Sequence, residues 1–522
     1  MLRVLEECDK VSADFSADPV HDLRVALRRC RSMADGMMAM DPDRNWKAMK
    51  KAGKQLFQRL GALRDVQIMM EWIEKLNVEG NAPPAADAEP TAQPPLAGIP
   101  GSHALDPVPT IDPAHALLRI LEAREIELKR EARAALEEFD RKQWRQWAKS
   151  LPQRAAHIRP GSAVFKHLAL ERWTAARQLH AVALRNRSQV AWHSLRIGIK
   201  RFRYIVENFL PLEHEAWASD LKHLQDLLGE VHDLDVLWAT AQSEHVFPSD
   251  TWRKVWHERI AEERANRIEQ YRQKTVGPDS LWNVWRAALP QGKQIHELAT
   301  VRMKLWAKAL DPDFRHSERV ARLSLELYDG LLAAGLLRIS PSRNGMGASL
   351  RSSLYAAALL HDIGKSEGQK GHHKQSQELI QKHGTPLGWH REDMRCASLV
   401  ARFHVGALPV RSHKALRDLL PEEQTDVIQL SAILRLANAL DCAHDGHIRR
   451  VKLENARNPA RASNGLLRNP APLAKNQALV LIADGYADGT LTARTVAAER
   501  YLLETVLRRA VVVRTPKMGP TR

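Results

Sequence analysis

The first half of this chain contains itself twice, and that repetition limits the fold more than any other feature. His21-Asp-Leu-Arg-Val-Ala-Leu-Arg-Arg-Cys-Arg31 recurs as His193-Ser-Leu-Arg-Ile-Gly-Ile-Lys-Arg-Phe-Arg203. Leu60-Gly-Ala-Leu-Arg-Asp-Val recurs as Leu228-Gly-Glu-Val-His-Asp-Leu. The copies lie 172 and 168 residues apart (21 to 193, 60 to 228), in the same order, as internal duplication requires. The surrounding sequence is rich in Leu, Ala, Arg, Glu and Lys, with apolar positions at helical spacing, so the expected architecture is two copies of one helical unit.

On a helix turning about 100° per residue, His21, Arg24, Arg28 and Arg31 fall within an arc of about 80°. His193, Arg196, Lys200 and Arg203 do the same. Asp18-Pro19 just upstream reads as an N-cap and first-turn proline. Two such stripes facing each other would form a strongly positive wall, to which Lys54 and Lys222, at matching positions of the second pair of segments, would add. No acidic residue lies on either stripe. A solvated helix face is the plain alternative, but the repeat keeps its charges in register while its neighbours change. A nucleic-acid partner is disfavoured, because no DNA-reading module and no aromatic stacking ladder accompany the stripes. The spacing suits a flexible anionic chain. The whole-chain charge of +16 points the same way, toward a polyanion.

The 522 residues predict two to four domains. Residues 81–113 hold nine prolines and read as an extended linker or insertion. A long charged helix is expected after them, from about Ala114 to Phe139. A boundary falls near 276–294, where Val-Gly-Pro-Asp and Leu-Pro-Gln-Gly break the helical pattern. Further helices follow to about Asp445, with loops at 338–350 and 366–371. Short β-like runs begin at Arg450, Ala478 and Ala510, with a helix from Thr495 to Arg509 between the last two. The predicted fold is therefore mostly α: a duplicated helical bundle over 1–290, a second helical bundle over 295–450, a small α/β appendage over 451–515 and a disordered tail over 516–522. No apolar run of about 18 residues and no signal segment is visible. The four cysteines (Cys8, Cys30, Cys396, Cys442) are scattered, which fits a reducing cytoplasm.

The second bundle carries a different pattern. His316, the adjacent pair His361-Asp362, and Asp441 each sit on a predicted helix. Imidazole nitrogens with carboxylate oxygens suit a divalent metal such as Mg, Mn or Fe, and such an ion assists phosphoester or phosphoanhydride hydrolysis. Gly364 is expected to stop the helix before His361-Asp362 in left-handed conformation. His372 and His373, in Gly371-His-His-Lys374, and His404, in Ala401-Arg-Phe-His404, are candidates for a second metal or for phosphate contacts. Lys365 and Arg402 are candidates to neutralise substrate charge during catalysis.

The duplicated His-x-x-Arg-x-x-x-Arg/Lys segments resemble the CHAD domain, a conserved-histidine α-helical domain of two four-helix repeats. That resemblance covers roughly 1–290. It implies binding of inorganic polyphosphate through His21, Arg24, Arg28, Arg31, Lys54, His193, Arg196, Lys200, Arg203 and Lys222, and an association with polyphosphate granules. Within it, the proline-rich stretch and the long charged helix look like an insertion. Ala358-Leu-Leu-His-Asp-Ile-Gly-Lys365, Gly371-His-His-Lys374, Ala401-Arg-Phe-His404 and Ile433-Leu-Arg-Leu-Ala-Asn-Ala-Leu-Asp441 resemble the HD superfamily of metal-dependent phosphohydrolases. More narrowly, residues 295–515 are similar to the C-terminal HD region of the exopolyphosphatase / guanosine pentaphosphatase family. The established phosphatase site of that family lies in an actin-like part that has no counterpart here. The expected function is thus polyphosphate binding joined to a metal-dependent phosphohydrolase site. A non-enzymatic polyphosphate-binding protein with a relic or sensory HD domain is one alternative. An HD nucleotidase or alarmone hydrolase anchored by polyphosphate is the other.

Overall fold

In the computed structural model, residues 1–78, 112–156, 158–337, 350–454 and 478–516 are described. The duplication emerges as two runs of five helices. The first comprises α1 (Leu2–Ala13), α2 (Ala17–Met37), α3 (Arg44–Val78), α4 (Pro113–Glu137) and α5 (Arg141–Ala155). The second comprises α6 (Ala163–Asn186), α7 (Gln189–Phe209), α8 (Pro211–Ser243), α9 (Asp250–Thr275) and α10 (Leu281–Ala287). Together they form one compact unit that ends at Pro290, and a second unit begins at Gln291.

Helix α2 buries Val20, Leu23, Ala26, Leu27, Cys30, Ala34 and Met37, a stripe at steps of three and four. Helix α7 buries the corresponding Leu195, Ile199, Phe202, Ile205, Val206 and Phe209. Each fully buried large apolar side chain contributes about 1.5–3 kcal/mol. The two helices touch, and Gly36 is what lets them: a Cβ there would lie 2.2 Å from Cε2 of Phe209. Arg29 Nε donates to Glu207 Oε1 (2.8 Å) and Asn208 Nδ2 to Ser32 Oγ (2.8 Å), tying α2 to α7 at the same end.

Two expectations are corrected here. Helix α2 starts before Asp18-Pro19, with Ser16 as its N-cap; Asp18 is a first-turn acid, and Pro19 lies in the first turn, where its missing N–H is not needed. The long charged helix is not an insertion. Helix α4 packs on α3 as α9 packs on α8, and Leu117 and Leu121 of α4 share one core with Trp72 and Ile73 of α3, Leu234 and Leu237 of α8, and Ile260 of α9. It is the fourth helix of the first repeat. Asp112 and Pro113, assigned by composition to the proline-rich stretch, are its start: the Asp112 side chain accepts from Ala114 N, and Pro113 is the first helical residue. The rest of that stretch lies outside the described residues.

The second unit contains α11 (Lys293–Leu310), α12 (Phe314–Ala333), α13 (Leu350–Leu360), a 3₁₀ turn (Ile363–Ser366), α14 (His372–His383), α15 (Arg391–Arg402) and α16 (Pro421–Leu440). Helix α16 is buried almost all round from Val427 to Leu440 and packs against α12, α13 and α15, so it is the centre of the bundle. A three-stranded sheet follows: β1 (Arg450–Leu453) runs antiparallel to β2 (Leu479–Asp484), and β3 (Val511–Arg514) runs parallel to β2. The β2-to-β3 crossover holds two short helices, α17 (Leu491–Glu499) and α18 (Tyr501–Leu507), where the sequence suggested one. Val451, Leu481, Val511 and Val513 join the same core as α12 and α16. The expected loop at 338–350, apart from Leu350, lies outside the described residues, as does most of the expected tail. Among the described residues, no helix is long and apolar enough to cross a membrane.

Candidate metal centre and cationic wall

Helices α2 and α7 are in contact, as are α3 and α8, and cations of the two stripes are within electrostatic reach of one another, Arg24 of Arg196 and Lys200 of Arg28. Arg24, Arg28, Arg31, Arg196, Lys200 and Arg203 are half-buried, while His21 and Lys54 are exposed. Aromatic rings, rather than carboxylates, hold three of the guanidinium groups. Arg24 and Arg31 lie 5.4 and 4.7 Å from the ring centre of Phe57 on α3, and Arg28 lies 5.6 Å from Tyr204 on α7. Gly61 gives Arg24 its place on α3: a Cβ there would stand 2.8 Å from its Nη1. Five buried cationic donors, Arg24 Nη1, Arg28 Nε, Arg31 Nη1, Arg196 Nε and Arg203 Nε, have no hydrogen-bond acceptor among the described residues. Arg203 Nε comes only within 3.8 Å of Glu207.

The electrostatics record this crowding. Burial, then Arg196 and Arg28, push the Lys200 ammonium down to about 7. Burial and then Arg196 bring His232 to about 4, and its Nδ1 lies 3.3 Å from Nδ1 of His193. His21 and His193 are lowered by burial and by neighbouring cations. Two expectations change. Lys222 pairs with Asp226 at 3.0 Å on its own helix, so it adds no free charge. The wall also has acids after all: Asp65 and Asp233, from α3 and α8, are each within electrostatic reach of Arg196 and Lys200. Both stand in the second repeated segment, but a reading of the stripe helices alone does not reach them.

In the second unit, His361 and Asp362 follow the end of α13. At a helix C-terminus the last carbonyls lack intrahelical partners. His361 Nδ1 donates to one of these, Ala358 O (2.7 Å), and His404 does the same after α15, with Ala401 O (2.7 Å). His372 Nδ1 donates to Gln369 O (2.9 Å). Each bond turns Nε2 toward Asp362: the separations are 3.3 Å from His361 to Oδ2, and 3.3 and 3.5 Å from His372 and His404 to Oδ1. His316 Nε2 lies 4.0 Å from Oδ2. The result is two triads that share one carboxylate, His316–His361–Asp362 and Asp362–His372–His404, with the ligating atoms of each within 4.8 Å of one another. Burial brings His404 to about 4, so it is a neutral imidazole, the form that offers a lone pair, and burial also lowers His316 against the pull of Asp441. Burial would raise the Asp362 carboxyl, but His361 foremost among its neighbours holds it well below the usual range. His361 Nε2 and Asp362 Oδ1 are buried without an aligned hydrogen bond.

Gly364 fits this centre by size. It is not in left-handed conformation; a Cβ on it would lie 2.1 Å from His372 O and 2.6 Å from Ser376 N. Ser376 Oγ donates to His361 O (2.6 Å) and accepts from Gly364 N (2.9 Å), which joins the two triads through the backbone.

The other expected site residues are placed differently. Lys365 Nζ donates to Asp362 Oδ2 at 2.5 Å. Arg402 Nη1 donates to Gln377 Oε1 at 2.7 Å, and His373 is in neither triad. Asp441, the C-cap of α16, also lies outside both triads. Its Oδ2 is 2.7 Å from His316 Nδ1, its two oxygens accept from Arg319 Nε at 3.0 and 2.9 Å, and its Oδ1 accepts from Gly446 N. Arg319, Asn438 (Oδ1 2.9 Å from His316 Nε2) and His444 (stacked on His316 at 3.8 Å) complete the setting. Sequence reasoning passed over all three, although Arg319 is one helical turn after His316 and Asn438 one turn before Asp441.

Comparison with known families agrees with this division of the chain. Residues 2–242 match the CHAD domain, and residues 300–483 match the Ppx/GppA phosphatase, domain III. Helices α9 and α10 lie beyond the first match yet belong to the first unit, where buried Trp285 packs against Phe202 and Trp217 of the second repeat and Trp282 packs against Trp285. No curated protein matches the chain.

Proposed function

We propose that the first unit binds inorganic polyphosphate on the α2–α7 wall and that the second is an HD-type site that hydrolyses a phosphoanhydride or phosphoester bond with a divalent metal. Both family matches support a polyphosphate-related function. On the wall, unpaired guanidinium donors call for a ligand with many oxygen acceptors and repeated charge, which polyphosphate supplies at each phosphoryl. The observation that carries the hydrolytic reading is the shared carboxylate: Asp362 and the four Nε2 atoms around it are a hard-and-borderline donor set, and the unbonded His361 Nε2 and Asp362 Oδ1 fit a cation. His316, His361, Asp362, His372 and His404 would hold one or two ions of Mg, Mn or Fe.

A divalent ion there supplies Lewis acidity toward a phosphoryl oxygen and toward water. The chain itself does the positioning. The carbonyls of Ala358, Ala401 and Gln369 fix the imidazole tautomers, Asp441 fixes His316, and Lys365 offsets the charge of Asp362. Arg402, held by Gln377 and acting on His373, is the second cation available to a phosphate group. A non-enzymatic HD part is the second reading. It is favoured by the saturation of Asp441 and by the Lys365–Asp362 pair, in which protein donors already meet the carboxylates.

The test uses full-length protein. The expected result is stoichiometric Mn²⁺ or Fe²⁺ after reconstitution, together with phosphate release from polyphosphate or a nucleotide. Asp362→Ala should lose metal and turnover but keep polyphosphate affinity, and Arg28→Glu with Lys200→Glu should lose that affinity but keep the metal. Metal bound without turnover of any phosphate substrate would leave the non-enzymatic reading. Failure to bind metal at all would remove the hydrolytic one.

A further inference from the structure

Asp65 and Asp233 are out of place on a wall for a polyanion, since fixed negative charge repels the ligand. They are nevertheless built in twice, at matched positions of the duplication. Asp65 lies one helical turn beyond Gly61, the residue on which Arg24 rests, and Arg24, Arg196, Lys200 and Arg64 all act on it. Asp233 is next to His232, and Arg196, Asp65, Lys200 and Glu230 act on it. Neither carboxylate is bonded directly to a wall cation; the interaction is through space. The Asp65 side chain is open to solvent and that of Asp233 is half-buried. The site therefore presents free acceptors and free donors side by side, not a set of closed ion pairs.

We propose that Asp65 and Asp233 make the wall recognise the end of a polyphosphate chain, by accepting a hydrogen bond from a protonated terminal phosphoryl oxygen while Arg24, Arg196 and Lys200 take the ionised oxygens. This rests on the polyphosphate reading of the wall. An internal phosphoryl group of a linear chain has one ionisable oxygen, a strong acid with no proton near neutral pH. It can only be repelled by a carboxylate. A terminal phosphoryl has a second, weak acid, with a pKa of about 6 as in a phosphomonoester. The Asp233 carboxyl, raised by burial against the pull of Arg196, titrates at about 6. Two oxygen acids of like strength share one proton in a charge-assisted hydrogen bond. No covalent bond changes; the proton already carried by the phosphoryl end lies between the two oxygens. A wall of cations alone would favour the end only through its second charge, and so increasingly as pH rises; the two aspartates favour the protonated end instead, which reverses that trend.

The experiment measures binding by full-length protein of linear polyphosphate of one length, with free ends or with both ends blocked as alkyl esters. Near pH 6 the wild type should prefer the free-ended chain by about tenfold or more, the worth of one charged hydrogen bond. The preference should fade as pH rises and the terminal proton is lost. His21, His193, His232, Lys200 and Glu230 also face this region; the variant Asp65→Asn with Asp233→Asn keeps all of them, so only the part of the preference that this variant loses belongs to the two aspartates. The isosteric pair Asp65→Asn and Asp233→Asn should bind the blocked chain more tightly than the wild type does and lose the preference. Thermal melts report whether that variant is folded. Equal binding of both chains by the wild type, or a preference that survives in the folded variant, overturns chain-end recognition while leaving the polyphosphate wall intact. If the wild type binds neither chain, the polyphosphate reading falls and this inference falls with it.

Discussion

Replacing Lys200 with Gln should make the protein more stable and a poorer ligand binder. Burial, Arg196 and Arg28 bring the ammonium from 10.5 to about 7, while an unfolded chain restores the higher value. At about 1.36 kcal/mol for each tenfold change in proton affinity, that interval sets a ceiling of about 5 kcal/mol. Lys200 is half-buried, and screening by solvent reduces the figure to about 2–3 kcal/mol. The sign follows from linkage. Between pH 10.5 and 7 the unfolded lysine is protonated and the folded one is neutral, so the penalty on folding grows as pH falls through that window. Below about 7 it is constant. Gln keeps the length and polarity of the side chain without the charge. The variant should therefore melt higher than the wild type by about 5–10 °C near pH 7, with the difference closing toward pH 10. Polyphosphate favours the charged lysine, so wild-type binding should take up a proton near neutral pH and weaken as pH rises above 7; the variant should lack that component. Calorimetric melts and binding titrations in buffers of different ionisation enthalpy measure both effects. A variant less stable than the wild type near pH 7 would show that the ammonium is already compensated, and the account of the wall as uncancelled charge would be wrong.

Two further outcomes concern the second unit. Gly364→Ala should cost about 1–3 kcal/mol through overpacking against the backbone of His372 and Ser376, and should reduce metal content by displacing the Asp362–His372–His404 triad; unchanged melting and unchanged metal content would contradict it. Arg319→Ala should weaken metal binding by about 10- to 100-fold, because Asp441 loses the partner that holds it against His316. Arg319→Lys should recover only part of that loss, and a metal titration identical to wild type would show that Asp441 needs no clamp.

Much of this was legible in the sequence because it is local. The stripes of α2 and α7 follow from helical spacing within eleven residues, and His361-Asp362 stands out because its two members are adjacent. What escaped was set at long range or by volume. In sequence helix α4 resembles an insertion because the proline-rich segment before it masks its equivalence to α9; its packing on α3 identifies it. Asp65 and Asp233 lie in a segment whose repetition was noticed, yet their position opposite Arg196 and Lys200 depends on how four helices meet. Gly364 was read as a backbone device, whereas the space beside it, taken by His372 and Ser376, is what a side chain would violate. Asp441 belongs to a recognisable run, but nothing in that run says that Arg319 will engage both its oxygens.

The two candidate sites solve one physical problem in opposite charge. A binding group must be held rigidly without being neutralised by what holds it. On the wall, the guanidinium groups of Arg24, Arg28 and Arg31 are braced by the faces of Phe57 and Tyr204, which orient a cation and leave its net charge available. Carboxylates in those positions would have given stronger contacts and a self-satisfied, inert surface. In the second unit, His361, His404 and His372 are braced through Nδ1 by neutral backbone carbonyls, which set the tautomer and leave Nε2 to face Asp362. Two of those carbonyls come from the last turns of α13 and α15, where unpaired acceptors are a property of any helix end. For these residues the fold meets the back of the functional group with neutral partners and keeps its charged or lone-pair front for a ligand; His316, backed by Asp441, and Asp362, met by Lys365, are the exceptions. Buried groups left with unmatched fronts in both units are what favours binding over stability as the proposed role of these two patches.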